Sequence, residues 1–197
     1  LVREEVEAGR QAFVVCAAID EGNRTQVKAA EAEADRLATH VFPDLSVEVL
    51  HGRMRPAHKE AVMEGFRSGR HHLLISTTVI EVGVDVPNAS LMVVEHAERF
   101  GLSQLHQLRG RVGRGAAASA CVLLYGAPLG DTGKARLKAM LDTHDGFEIA
   151  RQDLQLRGPG ELLGARQSGV PMLRFAVLNV DLDLLDAAHH RAAHRHA

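Results

Sequence analysis

Between residues 11 and 125 the chain alternates short, nearly unbroken apolar runs with longer amphipathic stretches, and that alternation restricts it to one fold class. Ala12–Ala17 (AFVVCA), Val47–Leu50, Leu73–Ser76 (LLIS), Leu91–Glu95 (LMVVE) and Ala120–Tyr125 (ACVLLY) are strand-length, mostly apolar runs. Strands buried on both faces belong to parallel sheets. Between them, residues 24–41 carry Val27, Ala30, Ala34, Leu37 and Val41 at helical spacing. Pro56 opens a second helix that Ser68-Gly69 closes, and Ser103 stands where it would cap a short helix through Leu108. The expected fold class is α/β, an open, mostly parallel sheet flanked by helices, over residues 1–127. Beyond Pro128 the periodicity is helical over 131–157, with a break expected at Gly146 and a stop at Gly158-Pro159-Gly160. Residues 128–197 are therefore expected to form a small helical hairpin and loop extension, with a further helix starting near Val180 and a solvent-exposed tail.

Composition limits what such a chain does. With 46% apolar residues, its 197 residues can bury a sizeable core. Twenty-three Lys and Arg against 25 Asp and Glu give a net charge of −2, so an anionic partner must be met by a local basic patch. No apolar run reaches the roughly 20 residues that span a bilayer, and the opening LVREEVEAGR lacks the apolar core of a signal peptide. No membrane partner is expected, and the start at Leu1, without Met, suggests a piece of a longer, cytoplasmic chain. Cys16 and Cys121 lie far apart inside apolar runs and read as reduced, buried thiols. Twelve histidines raise metal binding, yet neither His71-His72 nor His190 with His194 has a cysteine or carboxylate to complete a ligand set, so no metal site is expected. One Tyr, no Trp and six Phe leave little for stacking bases.

A phosphate cradle of the form G-x-x-x-x-G-K-[ST] is lacking: at Gly133-Lys134, Pro128 holds the first glycine position and Ala135 replaces the hydroxyl. No acidic pair at a strand end stands ready for magnesium. The densest polar signal is RFGLSQLHQLRGRVGRG at Arg99–Gly115, with four arginines and no acidic residue. Arg111 and Arg114, three apart among Gly110, Gly113 and Gly115, admit two readings: a pair of arginine fingers offered to a nucleotide held elsewhere, or a solvated basic loop. STTVIEVGVDVPN at Ser76–Asn88 leaves a strand end, where α/β domains place ligands. There Thr77 and Thr78 are candidates for phosphate contact and Asp85 for orienting a water or the arginines, although Asp85 equally suits a plain turn cap. Arg53 and Arg55, after the strand Val47–Leu50, fit contact with a phosphate backbone.

In order, HGRM at His51–Met54, TTVIEVGVDVPNA at Thr77–Ala89 and QLRGRVGR at Gln107–Arg114 resemble motifs of the second RecA-like motor domain of superfamily-two helicases, the last two being its motifs V and VI. FGLSQLHQLRGRVGRG followed by GFEIARQDLQLRGPGELLGARQSG at Gly146–Gly169 narrows this to the RecG family of branch-migration helicases and its relative, the Mfd family of transcription-repair coupling translocases. Both share a translocation element, a helical hairpin and loop after the second motor domain. HGRM, EVGVDVPNASLMVVE and GRGAAASACVLLY are closer to RecG, since Mfd-like sequences tend to read HGQM and ETGIDIP.

The resemblance implies an ATP-dependent helicase of the RecG type, running on branched or forked double-stranded DNA in fork regression, branch migration, recombination and repair. It implies that Arg111 and Arg114 reach the γ-phosphate of ATP, which a first motor domain absent from this chain binds with Mg2+. Gln107 would organise that interface, Gly83 would permit a turn, and Asp85 would couple nucleotide to the DNA-facing loop. Arg53, Thr77 and Thr78 would touch DNA, while Arg136, Arg157 and Gln167 would link motor closure to translocation. A wedge domain is the further partner implied, the protein acting as a monomer in the bacterial cytoplasm, associated with the nucleoid. Three rivals remain at this point: an Mfd-type translocase, a non-catalytic nucleic-acid-binding module, and a Rossmann-type enzyme. The last lacks G-x-G-x-x-G after the first strand, where Cys16–Gly22 reads CAAIDEG.

Overall fold

A computed structural model describes residues 1–16, 23–77, 86–113, 115 and 118–157, with the backbone alone for 23–26 and 157. Five strands form one parallel sheet: β1 (Gln11–Val15), β2 (Val47–Leu50), β3 (Leu73–Ser76), β4 (Ala89–Val94) and β5 (Ala120–Leu123). They lie in the order β2-β3-β1-β4-β5. The most apolar runs take the centre, and β1 and β3 are buried along their whole length. Side chains alternate between two cores, as the two-residue period of a strand requires. Phe13, Val15, Leu74, Met92 and Val94 face one side, while Ala12, Val14, Leu73, Ile75 and Leu91 face the other.

The second core is covered by α1 (Val2–Glu7) and α2 (Asn23–Arg36), through Val2, Ala34 and the following Leu37. The first is covered by α3 (Pro56–Arg67), α4 (Leu102–Arg109), α5 (Asp131–Asp142) and α6 (Gly146–Arg157). Phe66 of α3 is fully buried, its ring 4.9 Å from that of Phe13. Leu137, Met140 and Ile149 place the α5–α6 hairpin in the same core as the sheet, so this hairpin is packed onto the α/β fold.

Several boundaries differ from the sequence reading for local reasons. The helix expected to reach residue 41 ends at Arg36 and continues as a π-helical turn over Leu37–Val41, where the Thr39 hydroxyl donates back to Asp35 O at 2.5 Å. Ser103 does not cap α4: Gly101 holds that position, its N–H donating to Gln104 Oε1 at 2.9 Å. The hairpin breaks at 143–145, and Gly146 begins α6, whose first turn is capped by Asp145 Oδ1 accepting from the Phe147 N–H at 2.8 Å. Cys16 is buried, but Cys121 on the outermost strand is only half-buried; both are free thiols. Burial pushes the Cys121 thiol up to about 11. Among the described residues no helix is long and apolar enough to cross a membrane.

Candidate nucleotide-facing and DNA-facing site

Helix α4 organises the site because it carries two stripes. Leu102, Leu105 and Leu108, spaced three apart, are buried against the sheet. Ser103, His106 and Arg109 have the same spacing one residue on and face the hairpin. The Ser103 hydroxyl donates to Asp153 Oδ2 on α6 at 2.5 Å. Gly146 sits so close to His106 that a Cβ there would lie 3.0 Å from its Nε2. Arg109 Nη1 donates to Met140 O at 2.8 Å and Thr143 O at 3.0 Å, closing the carboxyl end of α5. These are carbonyls a helix end leaves unpaired, and a cation is favoured there. Arg109 Nη2 donates to His106 Nδ1 at 3.0 Å. Burial, with the adjacent Arg109 charge, holds the His106 imidazole below its ordinary pKa, which suits an acceptor.

The arginine cluster therefore divides. Arg109 is a structural clamp, a role the sequence reading missed; the polar stripe at three-residue spacing beside the leucine stripe was the available signal. Arg111, two residues beyond, is half-buried and has no side-chain hydrogen bond or ion pair among the described residues. Its N–H donates to Leu108 O at 2.9 Å, which fixes its backbone to the end of α4. Gln107 is exposed on α4. Gly113 has φ +83°, the left-handed region glycine favours.

Around the carboxyl ends of the strands the remaining predicted residues fall as follows. The HGRM loop after β2 is a tight turn: Met54 N–H donates to His51 O at 3.2 Å, and Met54 packs on the first core. Arg53 and Arg55 are left exposed beside it. His51 is buried with its Nε2 3.3 Å from a Glu31 oxygen, and its Nδ1 has no hydrogen-bond partner among the described residues. Thr77 follows β3 and is buried, its carbonyl accepting from the Ser76 hydroxyl at 2.7 Å. Arg136 on α5 is half-buried, and its Nε is enclosed without a partner among the described residues. Thr78, Gly83, Asp85, Arg114 and Gln167 lie outside the described residues, and Arg157 is described by backbone alone, at the end of α6. The ends of the motif V and motif VI regions meet: Gly115 approaches the Pro87 carbonyl so closely that a Cβ would lie 2.4 Å from it. Among the described residues no three His, Cys, Asp or Glu side chains converge as metal ligands do.

Comparison with known proteins agrees with this architecture. The helicase conserved C-terminal domain family matches residues 1–116, and the C-terminal part of domain 3 of ATP-dependent DNA helicase RecG matches residues 143–195. The chain is 53% identical over 191 residues to ATP-dependent DNA helicase RecG of Escherichia coli (strain K12), covering 97% of this chain and 27% of that protein. It thus spans about a quarter of the length of the curated relatives it matches. A solved structure of RecG bound to a three-way DNA junction matches with TM-score 0.71 and 45% identity, over 93% of this chain and 23% of that one. The C-terminal domain of the DEAD-box protein Dbp5 shares the fold at 17% identity and TM-score 0.53, over 79% of this chain and 88% of that one. These matches favour the RecG branch over an Mfd-type alternative, and the chain belongs to the helicase conserved C-terminal domain family, in its RecG branch.

Proposed function

We propose that this chain is the second motor half of an ATP-dependent, double-stranded DNA translocase of the RecG type, which regresses forked junctions in recombination and repair. The observation that carries the reading is the construction of α4. One short helix is followed, two residues on, by Arg111, whose side chain has no partner among the described residues, and is bolted by Ser103 and Arg109 to the hairpin that the resemblance assigns to translocation. A guanidinium without a partner suits a phosphate supplied by another domain.

Residues 1–127 then act as the motor domain and 128–197 as the translocation element. Arg111, with Arg114, would hold the γ-phosphate of ATP. Bound ATP would supply the differential contact that favours the closed arrangement of the two motor halves, and its Mg2+ would be held mainly by the first motor domain. Gln107, exposed on α4, would organise that interface, Gly83 and Asp85 would serve the coupling of nucleotide to DNA, and Thr77 and Thr78 would touch DNA. Arg53, exposed beside Arg55, takes the DNA backbone. Among the described residues the Nε of Arg136 has no partner, which supports a role for this side chain in another motor state, since an enclosed, unpaired donor costs about 1–3 kcal/mol. Arg157 and Gln167 complete the path to duplex DNA, the wedge domain splitting the fork. The protein is read as a monomer of the bacterial cytoplasm, acting at the nucleoid.

The test uses the complete enzyme. Arg111→Ala or Arg114→Ala is expected to abolish ATP turnover while fork binding persists; normal turnover in either variant removes the finger role. Gln167→Ala or Arg157→Ala is expected to leave DNA-stimulated ATPase largely intact and to cut branch migration, and equal loss of both activities reassigns those residues to folding or ATP coupling.

A further inference from the structure

Arg109 can only donate hydrogen bonds, and that fixes the state of the histidine beside it. A guanidinium carries N–H groups and no acceptor. Arg109 Nη2 lies 3.0 Å from His106 Nδ1, so Nδ1 bears the lone pair and the one ring proton sits on Nε2. An imidazolium, with N–H on both nitrogens, has nothing to offer Arg109. His106 is therefore neutral wherever this bond is made.

The bond matters because of what the same guanidinium does with its other arm. Arg109 Nη1 donates to Met140 O at 2.8 Å and to Thr143 O at 3.0 Å, across the carboxyl end of α5. The fork is planar and rigid, so holding Nη2 sets the direction in which Nη1 points. Across the ring, Nε2 stands so near α6 that a Cβ at Gly146 would lie 3.0 Å from it. His106 thus fills the space between the clamp on α5 and the first residue of α6.

Among the described residues the charged and titratable groups around the ring come from four elements. Burial opposes a charge on His106 most strongly, the neighbouring Arg109 on α4 and His144 in the α5–α6 turn oppose it as well, and Asp145 in that turn favours it; the balance holds the imidazole below its ordinary 6.5. On α6, Asp153 accepts from Ser103, and Glu148 accepts from Arg151 and Gln152. On β5, Cys121 lines the same cavity of about 430 Å³, and burial keeps it a neutral thiol.

We propose that His106 is a positioning residue that acts as a proton-sensitive pin: uncharged, it holds Arg109 in the pose that closes the end of α5, and on gaining a proton it releases the α5–α6 hairpin from α4. Protonation removes the acceptor and sets two cations 3.0 Å apart. The closed joint excludes the proton, so it is most secure above the ordinary imidazole value and loosens as pH falls below it. One consequence rests on the reading under Proposed function: the branch migration obtained for each ATP hydrolysed falls over the same pH range.

Hydrogen exchange on the complete enzyme tests the pin. Protection factors, which compare each amide with an unstructured one at the same pH, should fall at least roughly tenfold over residues 131–142 and 146–157 between about pH 7.5 and pH 5, while Phe13 and Val14 in β1 and Leu74 in β3 keep theirs. Exchange of the imidazole C2 hydrogen reports the protonation of a single histidine, and residues 100–109 contain only His106. Its midpoint should coincide with that of the loosening. His106→Asn puts an amide oxygen, an acceptor that does not titrate in this range, where Nδ1 stood, and should keep α5 and α6 protected throughout. Protection that does not change with pH overturns the pin. So do midpoints that differ by more than about half a pH unit, or a His106→Asn variant that loosens as the parent does. The comparison of midpoints uses the unaltered enzyme, so it decides the matter even where His106→Asn does not fold. If the pin is found and the ratio of branch migration to ATP hydrolysis depends on pH alike in parent and His106→Asn, the coupling to translocation falls and the pin stands.

Discussion

Gly115 shows how little room the site allows a single side chain. A Cβ at that position would lie 2.4 Å from the Pro87 carbonyl oxygen, a backbone atom that cannot rotate away. Gly115→Ala must therefore push the end of the motif VI region off the Pro87 turn. The expected cost is about 1–3 kcal/mol of stability, seen as a lower Tm, with ATP turnover of the complete enzyme falling more than DNA affinity. A second residue-scale prediction concerns Glu5. Arg10 Nε donates to its carboxylate at 2.5 Å and the Ser90 hydroxyl donates as well, which together hold the Glu5 pKa down at about 2. A depressed carboxyl pKa gives stability that is complete above the ordinary value near 4.5 and is lost as pH falls toward 2. The pair is partly exposed, so solvent screens it and its contribution is modest. Urea midpoints of the parent and Glu5→Gln should differ at pH 6 and converge near pH 2; a constant gap across that range would give Glu5 a role other than this charge pair.

At the scale of elements, Ser103 and Arg109 join α4 to the hairpin, and on the proposed reading motion would pass through this joint. Arg109→Ala leaves the carbonyls of Met140 and Thr143 without their charged donor, and bonds of that kind are worth about 1.5–3 kcal/mol. Proteolysis or amide exchange should show α5 and α6 loosening while β1 and β3 stay protected, and Arg109→Lys should restore part of the protection. Uniform loosening of the whole sheet would make Arg109 a general core residue. The central strands were legible because a parallel sheet buries both faces and its strands are read as continuous apolar runs: Leu73–Ser76 falls where the run does and is buried throughout, while the edge strand Val47–Leu50, with Glu48 inside it, is only partly buried. Helix ends were less legible. Ser103 has the composition of a cap, yet its hydroxyl is taken by Asp153, 50 residues away, and Gly101 fills the capping position instead. Helix α1 went unread because six residues give fewer than two turns of periodicity. The clamp made by Arg109 was hidden because its partners are backbone carbonyls 31 and 34 residues downstream, which no side-chain motif announces.

For the molecule as a whole, the proposed reading makes the missing phosphate cradle and an Arg111 without a side-chain partner among the described residues two sides of one division of labour. A motor that closes on ATP gains nothing from a nucleotide that binds its open and closed states equally; the contacts that differ must be split between the two halves. Arg111 can supply such a contact only from the end of α4, where the hairpin is also fastened. ATPase measurements on this chain alone, and mixed with a separately made first motor domain plus wedge, follow directly. The chain alone is expected to be silent, and fork-stimulated hydrolysis is expected only in the mixture. The same mixture with Arg111→Ala should stay silent while still binding forks. Joining the halves in one polypeptide controls for failed reassembly: turnover in the joined form and not in the mixture would place the difficulty in docking. Silence in both would leave a non-catalytic nucleic-acid-binding module as the better description, and hydrolysis by this chain alone would require a complete nucleotide site formed with residues 17–22, 78–85 or 158–197, outside those described.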